Sequence, residues 1–373
     1  TADIEFFNDY DLIFTTYGTI YRDIELLQEV DFNTIVLDES QAIKNPSAKT
    51  GKAIRLLHGR HRLAMTGTPV ENTTMELWSQ FAYLMPGYLG NQTYFRTEFK
   101  NPIENQNDKK VGKYLHDVIR PFVMRRTKEQ VALDLPDRTE EVIYLEMEPN
   151  QRRLYNKVRD QYRAELLGLI ESGQVEASRM VMLTGLLRLR QICLHPKLMQ
   201  PEFKGESAKF LYLNDALEEL EANDHRALIF SQFTSALDLI GDDLDQADFK
   251  SVRIDGSTRN RQAVVDRFQN GEAPFFLLSL KAAGVGLNLT AADYVILMDP
   301  WWNPAVERQA IDRAYRIGQT KPVFVFRLIM RDSVEEKVLE MQARKREIAD
   351  QLIQVEENFV KQLSVDDIRS IFG

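Results

Sequence analysis

Two adjacent carboxylates, Asp38 and Glu39, stand directly after the apolar run Thr34-Ile-Val-Leu. A β-strand would deliver them to its carboxyl end, where open parallel sheets bind ligands. Phosphoryl transfer needs one acidic group to hold Mg²⁺ and another group to orient or deprotonate the attacking water. Asp38 fits the first role and Glu39 the second. The plainer alternative is a helix N-cap beside a solvated neighbour. A second strand-like run ends in Met65-Thr66-Gly67-Thr68-Pro69. Hydroxyls and a glycine there suit a turn that senses the γ-phosphate region, and Pro69 suits a helix start.

The other half of the chain offers a complementary set. Ser279-Leu-Lys281-Ala-Ala-Gly284-Val-Gly286 follows an apolar run, and its glycines free backbone amides for close approach to phosphates. Downstream, Asp299-Pro-Trp301-Trp302-Asn-Pro precedes Glu307-Arg-Gln309-Ala-Ile-Asp-Arg313-Ala-Tyr-Arg316-Ile-Gly-Gln319. Read as one helix, that segment sets Gln309, Arg313 and Arg316 on a single face. Arginines so placed can act on the charge that develops on a transferring phosphate. The plainer alternative pairs them with Asp312 or Glu307.

The elements that must position these residues are short apolar segments at Leu12–Tyr17, Thr34–Leu37, Arg62–Met65, Ala227–Phe230, Phe275–Leu280, Tyr294–Met298 and Val323–Ile329. Runs of this kind, separated by helical stretches, predict buried parallel strands in α/β units and hence two sheets. Residues 136–205 carry no strand-like run in this reading and predict a helical linker and protrusion, with helices over Gln151–Ile170 and Ala177–Ile192. Lys100–Lys110 reads as an exposed loop. A last helix, Ser333–Leu352, starts at a cap on Asp332 or Ser333 and packs its Val334, Val338, Met341 and Ile348 stripe back on a lobe. The expected domains are 1–135, 136–205, 206–353 and a tail over 354–373.

Global features narrow the class. The 373 residues, 44% hydrophobic and 28% charged, are average for folded globular proteins and exceed one core. No apolar run reaches the ~20 residues of a membrane span, so no membrane role is expected. One cysteine and five scattered histidines predict no disulfide and no structural metal, in keeping with an intracellular setting. A net charge of -9 argues against a generally basic nucleic-acid binder, so any DNA contact must be local. The basic groups Arg120, Arg125, Arg126 and Lys128, and Arg188, Arg190 and Lys197, are candidate patches for such contact, with solvated faces as the plainer reading.

Taken in order, Thr15-Thr16-Tyr17, Asp38-Glu39-Ser40-Gln41, Met65 to Pro69, Leu228-Ile-Phe-Ser231-Gln232-Phe233, Ile254-Asp255-Gly256-Ser257-Thr258, the Gly284/Gly286 loop and Gln309 to Gln319 resemble the Swi/Snf family of superfamily-two ATPases, from Tyr10 to about Leu352. Asp-Pro-Trp-Trp-Asn-Pro followed by Arg-Ala-Tyr-Arg-Ile-Gly-Gln is the most specific part. The resemblance implies two RecA-like parallel-sheet α/β lobes, the first incomplete, with a helical insertion and a C-terminal bracing helix. It implies ATP and Mg as cofactors, Asp38 and Glu39 for Mg²⁺ and water activation, and Arg313 with Arg316 as fingers. Gln41, Thr66, Gly67, Thr68, Gly286 and Gln309 would face the nucleotide. Thr15, Thr16, Ser231, Thr258, Lys281 and Trp301 would follow the backbone of double-stranded DNA, with a DNA-bound protein as target. Two departures stand out. Ser-Gln follows the acidic pair where the family commonly has Ala or Gly and then His. No G-x-x-x-x-G-K-[ST] run occurs, since Gly51-Lys52 has Pro46 and Ala53 at the flanking positions. The chain is therefore expected to start inside the first lobe and not to hydrolyse ATP by itself. The resemblance implies the motor of an ATP-dependent DNA translocase, with a strand-separating helicase or a non-catalytic DNA- or protein-binding module as alternatives.

Overall fold

A computed structural model describes Phe7, residues 9–67, 73–106, 108–124, Arg126, Lys128, Ala132, 134–280 and 286–351, with side chains up to Gln342 in the last helix. Contacts divide the chain into one unit up to Arg125, with which the end of the last helix from Arg344 is grouped, and a second running from Arg126 to Ala343. Thr68, Pro69, Arg125, Lys281, Gly284 and the tail 354–373 lie outside the described residues.

In the first unit, helix α1 (Tyr17–Arg22) precedes strand β1 (Asp31–Leu37). Helix α2 (Lys49–Leu56) then leads to β2 (His58–Ala64), which pairs in parallel with β1, Leu37 opposite Ala64. Ile20, Leu37, Ile43, Ile54 and Tyr83 bury one core around this pair. Helices α3 (Thr74–Leu84), α4 (Asn101–Gln106) and α5 (Lys109–Ile119) bury a second around Phe81, Phe95, Phe99 and Leu115. Two expectations fail in this unit. Leu12–Thr16 forms no strand: Phe14 is 87% exposed, and the Thr16 hydroxyl accepts from Thr19 N to cap α1. Asn101–Gln106 and Lys109–Lys110 of the predicted loop Lys100–Lys110 are helical, because Ile103 enters the core, Thr74 N donates to Glu104 and Asp108 caps α5.

The second unit is a six-stranded parallel sheet in the order β3-β8-β7-β4-β6-β5. Its strands are β3 (Arg138–Leu145), β4 (Ala227–Ser231), β5 (Ser251–Ile254), β6 (Phe275–Ser279), β7 (Tyr294–Leu297) and β8 (Val323–Met330). The central ones, β4 and β6, are buried at every position, as continuous apolar runs require. Helices α6 (Pro149–Glu171), α7 (Val175–Leu194), α8 (Ala208–Ala222), α9 (Thr234–Gln246), α10 (Arg261–Gln269), α11 (Pro304–Ile311) and α12 (Val334–Gln351) complete the unit. Leu228, Phe230, Phe276 and Val295 face one core, and Ile229, Leu277, Ile296 and Leu328 the other. Helices α6 and α7 bury a third with Met330 and Val334.

Strand β3 lies inside the stretch expected to be helical. It is an edge strand, its first half exposed, so its Arg-Thr-Glu-Glu start lacks the apolar pattern of the central strands. Helix α11 stops at Ile311, short of the predicted Gln319. Carbonyls beyond it are taken from elsewhere, Arg313 O by Leu289 N and Tyr315 O by Lys128 Nζ, and the Gln319 amide donates to Ala314 O and back to Thr290 O and Ala292 O. Gln309, Arg313 and Arg316 therefore do not share one helical stripe.

His195 follows α7, its Nδ1 accepting from Lys197 N and its ring lying edge-on to Phe210. Burial, with the Lys197 charge, lowers its pKa to about 4. Below about 6.5 the unfolded chain takes up a proton that the native imidazole refuses, so stability falls as pH drops from about 6.5 to about 4. Thermal melts should show a larger loss between about pH 7 and pH 5 for the wild type than for His195→Asn, whose amide oxygen keeps the acceptor. Parallel curves would contradict this.

Candidate functional site

In the first unit the candidate residues sit at the carboxyl ends of β1 and β2. Met65 N donates to Leu37 O and Ser40 N to Met65 O, which extends the strand pairing into both loops. Glu39 adopts left-handed backbone, φ 49° and ψ 51°, a conformation costly for a residue with a Cβ. Asp38 Oδ1 accepts from Glu39 N at 2.9 Å and holds that turn. Beyond it, Gln41 Nε2 donates to Glu39 Oε2 at 2.7 Å, and Thr66 Oγ1 donates to Gln41 Oε1 at 2.9 Å. A single chain of hydrogen bonds thus joins the acidic loop to the threonine loop, and both carboxylates remain solvent-exposed. Gln41 is the joint of that chain. Gly67 lies next to it with open space where a Cβ would stand.

The Tyr17 hydroxyl donates to Asp38 O at 2.6 Å. Burial first, then the Asp38 and Glu39 charges, push its pKa up to about 12, so it remains a donor. In the sequence Tyr17 was only the end of Thr15-Thr16-Tyr17; of these, the structure sets Tyr17 beside the acidic pair and leaves Thr15 and Thr16 exposed.

In the second unit the strand-end loops enclose a buried polar network. Asp299, at the end of β7, accepts from Ser231 Oγ at 2.6 Å and Gln232 N at 3.2 Å. Arg190 of α7 approaches it at 3.6 Å, donates to Pro300 O, and lies against the Trp302 ring at 5.2 Å. Arg190 is only 3% exposed, which corrects its reading as part of a solvated face. Ser231, 0% exposed, has its hydroxyl committed to Asp299 and to Phe233 N, and so is not open to a DNA backbone.

Glu307 of α11, also 0% exposed, accepts from Trp301 N at 2.7 Å, Gln342 Nε2 at 2.9 Å and Arg327 Nε at 3.4 Å. Trp301 packs half-buried on the sheet core. Asp312 pairs with Lys128 at 2.7 Å. Both carboxylates considered as partners for the arginines are thus engaged by other cations. Arg313 is buried at 8% exposure, whereas Arg316 is exposed with no carboxylate partner among the described residues. Gln309 is half-buried, and Gly286, φ 37°, is exposed with open space around it. Thr258 Oγ1 accepts from Asp255 N within a turn whose Asp255 carboxyl is held below its usual range by the Ser257 hydroxyl and amide.

A model of the SNF2-related domain matches residues 1–198, and one of the helicase conserved C-terminal domain matches 208–318. The chain belongs to the SNF2 family. Among its SNF2-family relatives, the putative ATP-dependent helicase/translocase YwqA of Bacillus subtilis is 40% identical over 98% of this chain and 40% of that protein. An ISWI chromatin-remodeling complex ATPase of Saccharomyces cerevisiae is 34% identical over 92% of this chain and 32% of its own length. The chain thus spans well under half of these curated relatives. The Sulfolobus solfataricus SWI2/SNF2 ATPase core, solved in complex with dsDNA, is 34% identical with a TM-score of 0.53, over 97% of this chain and 77% of that one. The two parallel-sheet units therefore correspond to SNF2 RecA-like lobes. No described helix is long and apolar enough to cross a membrane.

The sequence left Glu307 as an optional arginine partner and gave Gln342 no role; a carboxylate and the amide that donates to it, so far apart in sequence, have no local pattern to link them. Asp299→Asn keeps the acceptor for Ser231 but removes the charge facing Arg190, whose guanidinium is desolvated. Loss of a buried counter-charge typically costs about 3–5 kcal/mol. Denaturant titration of Asp299→Asn should show a loss of that order, and a change below about 1 kcal/mol would mean that the pair is not coupled.

Proposed function

We propose that the protein is an ATP-dependent translocase on double-stranded DNA that acts on DNA-bound protein, with Asp38 holding Mg²⁺ and Glu39 positioning and deprotonating the attacking water. The observation that carries this reading is the Glu39–Gln41–Thr66 chain at the carboxyl ends of two parallel strands. It ties the candidate base to a loop suited to sensing the γ-phosphate, so that loss of the phosphate would move Glu39 through Gln41.

The donor set suits the ion. Mg²⁺ prefers hard oxygen ligands and is usually bound by one or two carboxylates plus substrate phosphates. Asp38 is an exposed carboxylate, and the described residues form no cluster of three acidic, His or Cys groups that would favour a caged metal. When bound, Mg²⁺ would neutralise charge on the phosphates. Tyr17 fixes the Asp38 backbone, Gln41 holds Glu39, and Gly67 lets the loop approach the nucleotide with Thr66 and Thr68.

Arg316, exposed and without a carboxylate partner, serves in this proposal as the finger on the developing phosphate charge. Buried Arg313 supports that segment, and Gln309 and Gly286 face the nucleotide. Thr15, Thr16, Thr258, Lys281 and Trp301 follow the DNA backbone, a surface of hydroxyls and few cations through which an acidic chain can hold a polyanion. Ser231 is withdrawn from that surface and shapes the loop through Asp299. The stepping motion is opening and closing of the two lobes.

In the full-length protein, blunt duplex should stimulate ATP turnover more than single strands do. Glu39→Gln should lower duplex-stimulated turnover by roughly 100-fold while ATP binding persists, as expected for loss of a positioned base. Greater stimulation by single strands would favour a strand-separating helicase, and unimpaired turnover in Glu39→Gln would remove the base assignment.

A further inference from the structure

Helix α5 of the first unit carries a basic stripe that the proposed reaction does not use. Lys109, Lys113, His116 and Arg120 stand at i, i+4, i+7 and i+11, and all four are exposed. Arg120 continues the helical backbone at φ -47° and ψ -41°. Gly112, Leu115 and Ile119 bury the neighbouring face against the second core. At ~1.5 Å per residue the stripe is about 16 Å long.

Two features set this stripe apart from ordinary surface charge. Two lysines of the unit are neutralised, Lys100 by Glu104 at 3.7 Å and Lys44 by Glu76 at 3.8 Å, whereas Lys49 and Lys52 of α2 are exposed without a carboxylate partner among the described residues but form no row of this length. Lys109, Lys113 and Arg120 have no carboxylate partner among the described residues, and His116 meets only Asp117, at 3.3 Å. The arrangement also works against the helix. Lys109 sits at the positive end of the helix dipole, the first turn contains no acidic residue, and Lys109 and Lys113 repel across one turn. Asp108 at the cap offsets this in part by accepting from Lys110 N and Val111 N. A helix arranged for stability alone would place acids there, in a chain that has an excess of them at -9.

We infer that this stripe is a second contact surface for the phosphodiester backbone of duplex DNA, outside the strand-end track; the inference rests on the DNA reading given above. Phosphates follow one another at about 3.4 Å of axial rise per strand, so a ~16 Å row of cations spans about four to five of them. The cations recur at intervals of about one turn on a rigid helix, which suits a regular polyanion. The stripe contains no apolar side chain of the kind that anchors a protein partner. Beside it, Tyr114 is 62% exposed with its ring stacked on Phe99, 6.1 Å between centroids, and offers a fixed hydroxyl to phosphate or sugar.

The test uses this chain with Lys109, Lys113 and Arg120 all changed to Gln, which keeps helix propensity, and Lys109→Gln alone as a milder variant. Anisotropy of a labelled duplex is followed against salt. Each phosphate contact contributes about 0.9 to the log–log salt slope, so the triple variant should bind with a slope shallower by about 2–3 and the single variant by about one, for every duplex sequence. Equal slopes in wild type and both variants would overturn the stripe while leaving the DNA reading intact. Failure of the wild type to bind duplex would overturn both. A triple variant that binds duplex normally but loses binding to polyglutamate would overturn the inference in favour of an acidic protein partner.

Discussion

The acidic loop, the threonine loop and the Asp299 loop each leave the carboxyl end of a parallel strand, and the placement of the candidate site depends on that constraint. Parallel pairing of β1 with β2 brings the acidic loop and the threonine loop out side by side, so that Gln41 can span them. In the second unit the same rule gathers Ser231, Asp255 and Asp299 at one end of the sheet. Parallel strands need long crossovers, and the helices that cover both faces make the central strands uniformly apolar. The polar groups are thereby confined to strand ends and become the site.

Confinement of this kind leaves charged side chains buried where loops meet helices, and the second unit manages them by pairing. Asp299 faces Arg190, Glu307 meets Arg327, and Lys209, 0% exposed, bonds to Glu335 at 2.7 Å. Burial raises the Glu335 pKa while the Lys209 charge opposes it. These contacts link the α6–α7 insertion, the Trp301–Trp302 loop, α11 and the bracing helix α12, each through a buried carboxylate. Buried pairs add little net stability but penalise any arrangement that separates them, which suits a loop that must keep one geometry.

What the sequence disclosed follows from where signals are local. The central strands β4, β6 and β7, the helices α6 and α7, and the Ser333-capped helix α12 were legible because an apolar run or a cap is written in consecutive residues. The acidic pair and the threonine loop were legible for the same reason, as was the family. Strand β3 was not, because an edge strand need not be apolar. The end of α11 was not, because its helix-forming composition continues while its carbonyls are captured by Leu289 N and Lys128. Ser231 and Arg190 were assigned to exposed surfaces, since pairing with Asp299 depends on positions far apart in sequence.

Under the proposed function Arg316 stabilises the charge on the transferring phosphate, and its substitution is the most direct test. Its side chain is exposed, and the nearby carboxylates Asp312 and Glu307 are already occupied. Single-turnover ATP hydrolysis by full-length Arg316→Ala protein on duplex DNA should be slower by ~10³ or more, with an unchanged melting temperature. Normal turnover together with a lowered melting temperature would contradict the account and make Arg316 a structural residue.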